Sequence, residues 1–497
     1  MLKRSNILTY IFLAIILINL TFMLFRIYNN QFDHDELQHM HITWHVLNGK
    51  TIYGDFFDNH GPVYPFINVI IWKILNLSPE FDTLFIFRLT SFIYILIILF
   101  LTYKIGENLF SRTVGFAASA ILSSLFFFQE KAIEMRPDVI QNVFWLLGLY
   151  LILKFFEKRN KIYEMVSGAL FALAFFTNTK SLVGPAVVIS FLFLYPLLIK
   201  ENLKEEFKRV LNICLGFLST TVLFLIYLLI SGTIKQFFSS NFLINFYMLD
   251  IYKVGEFQND LLISYSKALY EHQLSFLALF AIGIIIISYK IYKDPIKEKK
   301  IYLFYLVTVA TTLMIFLKSY NQIFIIFLPL NSVIASYALI RIIKKMDKSK
   351  ILHIIGTLLI LSLVFVGLIL YSYDKTPLEP KETLTFQKEF TTFVLKDLER
   401  SDKILFSWSN CGGYMFNEDV QYYWVTSAPR IVPAYYFPIY RIEGEDVFGI
   451  DLVEKMRNEN VKYVIIYDKY VDRLNPDFKK YFINNYKKDL PCLWKKK

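Results

Sequence analysis

Cysteine and charge are both scarce: three Cys in 497 residues, and only 19% Asp, Glu, Lys and Arg together. Cys214 sits inside an apolar run and Cys411 and Cys492 near the C-terminus, so no zinc or iron–sulfur ligand spacing exists. A Cys411–Cys492 disulfide is open only if that end meets an oxidising compartment. No repeat of fixed period is visible, which removes a solenoid and gives no support to an inverted-repeat transporter. Cys411-Gly412-Gly413 lacks the GxGxxG pattern and implies no nucleotide. In place of charge the chain carries 55% hydrophobic residues, 49 Phe and 33 Tyr, with a mean hydropathy of +0.44. That surplus must face lipid, which excludes a cytosolic enzyme, a disulfide-rich secreted module and a disordered regulator.

The formal charge of +11 does not point to nucleic acid, because Lys and Arg gather in short clusters between apolar runs and so read as topology signals. Runs long enough to cross a bilayer lie at 7–25, 84–103, 113–128, 139–156, 162–176, 182–199, 210–230, 274–292, 301–317, 323–343 and 351–371. A twelfth, 63–77, is short and holds Pro65 and Lys73; it is expected flat on the outer surface as an amphipathic helix. With the N-terminus inside, the inner connections then hold 20 Lys and Arg in 48 residues, and the outer connections 10 in 119. Had 63–77 crossed, every later basic loop would lie outside, against the positive-inside rule.

The expected fold is therefore an all-α polytopic membrane bundle of about 11 transmembrane helices plus interfacial helices. Residues 1–373 form the membrane part and 374–497 a small α/β extracytoplasmic domain. In that tail, 381–400 shows helix-spaced apolar positions, and 403–408 and 463–467 read as buried strands around a helix at 446–458. The protein is expected in the cell membrane, N-terminus cytoplasmic and C-terminal domain outside. The long loop 26–83, the loop 231–271 and the tail then share one face.

Five of the seven His residues, His34, His39, His41, His45 and His60, fall between positions 34 and 60, beside Asp33, Asp35, Glu36, Asp55 and Asp58. A short interfacial helix over 37–47 puts His41 and His45 on one side, with Asp35 and Glu36 at its N-terminus, where negative charge is favoured. HxxxH with a carboxylate suits a divalent ion, but no third ligand is fixed by the pattern. The bland alternative is that the acids cap surface helices and the histidines sit among headgroups. Adjacent carboxylates on an apolar bundle also suit a base and its orienting partner, and Asp35 and Glu36 are the leading catalytic candidates.

The order Asp35-Glu36, a helix, Leu47-Asn48-Gly49-Lys50, Tyr53-Gly54-Asp55-Phe56-Phe57 and His60-Gly61-Pro62-Val63-Tyr64 resembles the first outer loop of the GT-C glycosyltransferases. The nearest branch holds protein O-mannosyltransferases, the lipid A aminoarabinose transferase and related bacterial sugar transferases. Arg88-Leu89, Arg136-Pro137-Asp138, Thr177-Asn178-Thr179-Lys180 and Lys318-Ser319-Tyr320-Asn321-Gln322 are similar to later segments of the family, so the resemblance covers about 1–345. The family's usual Pro-Pro-Leu is Gly61-Pro62-Val63 here, which leaves the substrate branch open.

The resemblance implies transfer of a sugar from a polyprenyl-phosphate donor to a hydroxyl of an envelope lipid, glycan or protein outside the membrane. Asp35 would take the acceptor's proton, and Glu36 would orient it or bind a divalent metal ion. Arg88, Arg136 and Lys180 would meet the departing phosphate, with Asp138, Asp55, Asp58, His60, Lys318 and Tyr320 lining the substrate site and His41 and His45 as metal candidates. Taken singly, Lys180 and Lys318 also fit snorkelling at span ends, and Asp138 also fits a structural pair with Arg136. The competing class is a transporter or flippase of lipid-linked glycans. It should place ionisable groups near mid-span, whereas here they gather at one face.

Overall fold

The structure is a computed structural model, and it describes residues 4–56, 58–199, 203–243, 273–314, 324–346, 350–375, 381–397, 403–406, 461–465, 471, 476–490 and 493–497. Its helices are α1 Arg4–Asn29, α2 His34–Leu47, α3 Val63–Leu75, α4 Thr83–Leu109, α5 Arg112–Ser124, α6 Phe126–Ala132, α7 Pro137–Lys154, α8 Lys161–Phe175, α9 Val183–Ile199, α10 Leu203–Ile230 and α11 Ile234–Phe238. They continue as α12 Leu274–Lys293, α13 Lys299–Leu313, α14 Phe324–Lys345, α15 Lys350–Lys375, α16 Lys381–Asp397 and α17 Pro476–Asn485. Strands β1 Lys403–Phe406, β2 Val461–Ile465, β3 Tyr486–Leu490 and β4 Leu493–Lys496 form one sheet.

The chain folds into two compact units. One comprises Met1–Tyr28, Arg88–Phe224 and Gly255–Leu378; the other comprises Asn29–Phe87, Leu225–Val254 and Glu379–Lys497. The first is the apolar bundle. Its centre is α14, buried along almost its whole length, which packs against α5, α12, α6 and α7. A helix apolar on all sides has no solvent face to offer, so it must be enclosed by neighbours.

Six helices among the described residues are long and apolar enough to cross a membrane: α1, α4, α9 with the turn before it, α10, α12 and α14. The α5–α6 pair, bent by 70°, makes a seventh if it counts as one span. The bend falls at Leu125, whose extended backbone (φ −78°, ψ 127°) ends α5. The remaining expected crossings are also helical but fall short. The 15-residue α8 and α13 rise about 22 Å, less than a ~30 Å hydrocarbon layer. In α7, Asp138, Gln141 and Asn142 occupy the first turns. Among the described residues, six or seven crossings are supported by length and composition, where hydropathy, which scores apolar runs without registering where helices start and bend, reads eleven.

Polar contacts inside this unit show which helix ends lie together. Arg88 Nη1 donates to Ile27 O (3.1 Å), Arg26 Nη1 to Gln129 O (3.3 Å), and Lys180 Nζ meets Asp138 Oδ1 (3.6 Å). At the other ends of these helices, Arg209 Nη2 donates to Phe156 O (2.7 Å), Lys299 Nζ to Glu206 (3.1 Å) and Lys300 Nζ to Asn108 O (3.4 Å). The two groups of contacts mark opposite ends of α4 and α7.

In the second unit, α2 and α3 pack as a helical hairpin. Trp44 and Trp72 lie 5.5 Å apart, and Asn68 Nδ2 donates to Thr43 Oγ1 (3.3 Å). The expected surface helix is α3, ended by Asn76 in a left-handed conformation (φ 46°) and leaving Ile70, Ile74 and Leu75 exposed. Of the loop 231–271, only α11 and the turn Ser239–Leu243 are described, and Phe237 of α11 packs edge-on to Tyr53. The sheet runs β1-β2-β4-β3, with β1 and β2 parallel and β4 antiparallel to both neighbours. Two of its strands are those expected; the β3–β4 hairpin is an addition. Residues 446–458, Cys411 and Cys492 lie outside the described residues.

Helices α8 and α10 cross through a pair of glycines. A Cβ on Gly168 would sit 1.9 Å from Ile213 O, and one on Gly216 would sit 1.9 Å from Met165 O. Such small-residue contacts let membrane helices approach backbone to backbone. Gly168→Ala and Gly216→Ala should each cost on the order of 1–3 kcal/mol through overpacking, seen as a lower melting temperature of the detergent-purified protein. An unchanged melting temperature would show that the two helices can separate freely.

Candidate active site

The segment 26–83 enters α2 through a capping box. Asp33 is the N-cap of α2, and its Oδ1 accepts from the Asp35 N–H (3.0 Å), while Glu36 Oε2 accepts from the Asp33 N–H (2.9 Å). This pairing satisfies donors that a helix start otherwise leaves open. Glu36 is fully buried with its carboxylate closing the capping box, whereas Asp35 is half-buried in the first turn, near the positive end of the helix dipole. The two adjacent acids therefore differ in environment: Glu36 holds the turn that presents Asp35.

Four residues on, His39 is buried edge-on to both His60 (5.0 Å) and Tyr64 (5.5 Å). His60 Nδ1 lies 3.2 Å from Oδ1 of the buried Asp58, whose same oxygen accepts from the His60 N–H. Tyr53 sits at φ 68°, an unusual conformation for an aromatic residue, and donates its hydroxyl to His60 O (2.5 Å). Burial raises the Tyr53 phenol well above its ordinary range, with Asp58 adding to the effect, so it stays a donor. Asp55 Oδ2 accepts from the Thr51 N–H (2.6 Å) and closes the preceding turn. Asp55, Asp58 and His60 thus shape one compact loop.

His41 and His45 do share a face of α2, with rings 4.1 Å apart edge to face, and Phe56 stacks on His45. Among the described residues no group of three or more His, Cys, Asp or Glu converges as a metal site, so this pair lacks the further ligands a divalent ion takes. The loop provides an aromatic stack here, and no catalytic step is derived through a metal.

In the bundle unit, three cations stand at the N-terminal ends of helices. Arg88 lies in the second turn of α4, Arg136 is the N-cap residue of α7, and Lys180 is in the 3₁₀ turn Thr179–Leu182 that leads into α9. Arg88 and Arg136 are buried and Lys180 nearly so. Asp138 accepts from Asn178 Nδ2 (3.2 Å) and pairs with Lys180, while Arg136 pairs through Nε with Glu134. The expected alternative, an Arg136–Asp138 pair, gives way to these two partnerships. Glu134 also receives Lys131 Nζ (2.7 Å), and Glu130 lies 3.7 Å from that ammonium.

Sequence reasoning passed over Lys131, Glu134 and Gln129, although the Glu130-Lys131…Glu134…Arg136 charge run between two apolar segments was the available signal. Lys318 and Tyr320 lie outside the described residues.

Burial lowers the His45 imidazole to about 4, assisted by the Lys50 charge and opposed by Asp55. A depressed histidine is neutral when folded, so its stability contribution is present above the unfolded value near 6.5 and is lost as pH falls from there toward 4. The detergent-purified protein should lose up to about 3 kcal/mol from this source between pH 7 and pH 4. His45→Phe, which keeps the stack on Phe56, should flatten that part of a stability-against-pH curve; an unaltered curve would remove the assignment.

Residues 59–227 match the family model described as dolichyl-phosphate-mannose-protein mannosyltransferase. No curated protein matches the sequence. Among solved structures, the archaeal oligosaccharyltransferase AglB from Archaeoglobus fulgidus, in complex with an inhibitory peptide and a dolichol-phosphate, superposes with a TM-score of 0.62. It is 11% identical over 93% of this chain and 71% of its own. ArnT from Cupriavidus metallidurans, bound to undecaprenyl phosphate, gives a TM-score of 0.58 at 11% identity, over 83% of this chain and 85% of its own. The same ArnT in the apo state gives 0.59 at 10% identity, covering 89% and 92%. The chain therefore shares the fold of these two glycosyltransferases, the fold that the resemblance read from the loops implies, and one third of it matches the dolichyl-phosphate-mannose-protein mannosyltransferase model.

Proposed function

We propose that the protein is a membrane glycosyltransferase that moves a sugar from a polyprenyl-phosphate donor to an acceptor hydroxyl on the extracytoplasmic face. The observation that carries this reading is the burial of Arg88 and Arg136, with Lys180, at the N-terminal ends of helices in an apolar bundle. A helix dipole favours anions there, so a cation in that position gains nothing from the helix itself. Cation and helix end together suit a phosphate. The dolichol-phosphate and undecaprenyl phosphate held by the two structural relatives support the same ligand class.

In the proposed reaction Asp35 takes the proton of the acceptor hydroxyl as its oxygen attacks the anomeric carbon. The bond from that carbon to the phosphate oxygen breaks, and the polyprenyl phosphate departs as an anion. A phosphate leaving group needs no general acid, so one base suffices, unlike the two carboxylates of glycoside hydrolysis. Lys180 offers the departing anion a point charge and Arg88 and Arg136 offer forked donors. Glu36 keeps Asp35 oriented through the capping box, and Asp138 holds Lys180.

Purified protein incubated with polyprenyl-phosphate mannose, glucose and aminoarabinose plus envelope acceptors should form a glycosidic product. Asp35→Asn should lower kcat by roughly 10²- to 10⁴-fold, and Lys180→Ala should weaken transfer with any donor sugar. Undiminished transfer by Asp35→Asn would remove the base assignment. Movement of the lipid-linked sugar across vesicles without any product would instead identify a flippase.

A further inference from the structure

Within the second unit, a side chain of the C-terminal tail grips the backbone of the first outer loop. Gln387 of α16 accepts from the Phe32 N–H through Oε1 (2.8 Å) and donates from Nε2 to Phe32 O (2.8 Å). A primary amide has one acceptor and two donors, so it can pair with both backbone groups of a single residue as a neighbouring strand would. Gln387 is 1% exposed and Phe32 fully buried, so neither backbone group of Phe32 has water as an alternative. The Phe32 ring is held on its other side by Phe81 (5.4 Å) and Phe85 (5.2 Å). Thr391, also buried, bonds back to Gln387 O (2.7 Å). The neighbouring ion pair of Lys388 with Asp82 is exposed on both sides and contributes little by comparison.

Phe32 immediately precedes Asp33, the N-cap that fixes the Asp35 N–H, and Glu36 returns to the Asp33 N–H. We propose that Gln387 is a positioning residue: by fixing the Phe32 backbone it sets the capping box and hence the aim of Asp35, which makes the tail helix part of the active centre. The proposal rests on the reading of Asp35 as base and goes beyond it, giving a role to a residue more than 350 positions away in sequence.

Gln387→Met keeps the side-chain length and removes both hydrogen bonds; Gln387→Glu keeps only the acceptor. Amide hydrogen exchange of the full-length protein in detergent requires no substrate. In Gln387→Met, the peptide covering 32–36 should exchange faster while peptides from the rest of α2 and from α3 stay as they are. Unchanged protection at 32–36 would overturn the clamp. So would a general loss of protection across the second unit, since that describes unfolding.

In the transfer assay, Gln387→Met should lower kcat about ten- to hundredfold with the KM for the lipid donor retained, the signature of a misaimed base. Gln387→Glu should fall between it and the wild type, and Lys388→Ala should match the wild type. In an Asp35→Asn background the same Gln387→Met change should cost nothing further, because its target is already gone. An equal further loss there, or an unaltered kcat in the single variant, would overturn the positioning role. Full activity of Asp35→Asn alone would sink the base reading and with it the catalytic consequence of Gln387, while the exchange readout would still judge the clamp by itself.

Discussion

A charge inside an apolar bundle is tolerated only when something answers it, and the first unit of this protein is organised by that constraint. An unanswered ion in a low-dielectric interior costs several kcal/mol, so each buried cation near the helix ends has an acceptor within reach. Arg88 has Ile27 O, Arg26 has Gln129 O, Arg136 and Lys131 share Glu134, and Lys180 has Asp138. These partners tie together the end of α1, the start of α4, α6, the start of α7 and the turn before α9. At the opposite helix ends a separate network joins Arg159, Glu164, Arg209, Glu205, Glu206 and Lys299. The bundle between the two is apolar, with α14 at its centre.

The second unit is organised around the start of α2, where Asp33, Asp35 and Glu36 lie together. Loops carry chemistry only when a rigid support aims them. Here the support is dense: the capping box at Asp33 and Glu36, the packing of α2 on α3 through Trp44 and Trp72, the Asp58–His60 pair, and the Gln387 clamp on Phe32. The histidines belong mostly to this support, since His39 and His60 touch one another and His45 stacks on Phe56. Their concentration in the sequence, which suggests a metal centre, finds its explanation among the described residues in ring packing.

What was legible in advance followed from patterns that act over a few residues. The start of α2 near Asp35, the helix over 63–75, the breaks between helices and strands β1 and β2 all appear where hydropathy and turn residues put them. The number of full crossings was not legible, because helix length depends on where caps and bends fall: Asn160 and Phe176 bound α8 to 15 residues, and Leu125 breaks α5 from α6. The partner of Asp138 lay beyond the reach of the sequence for a related reason. Arg136 is two residues away in sequence but is taken by Glu134, while Lys180 comes from a different helix.

The sequence by itself determined that the chain is a membrane-embedded helical protein and that a group of acids clusters between positions 33 and 58, because lipid compatibility and local helix signals are properties of short segments. Only the tertiary structure decided that Glu36 closes a capping box, which cation meets Asp138, and that a tail glutamine holds the backbone of Phe32. Those outcomes depend on contacts between positions tens to hundreds of residues apart, and a buried polar group takes whichever partner the packing brings within hydrogen-bond reach.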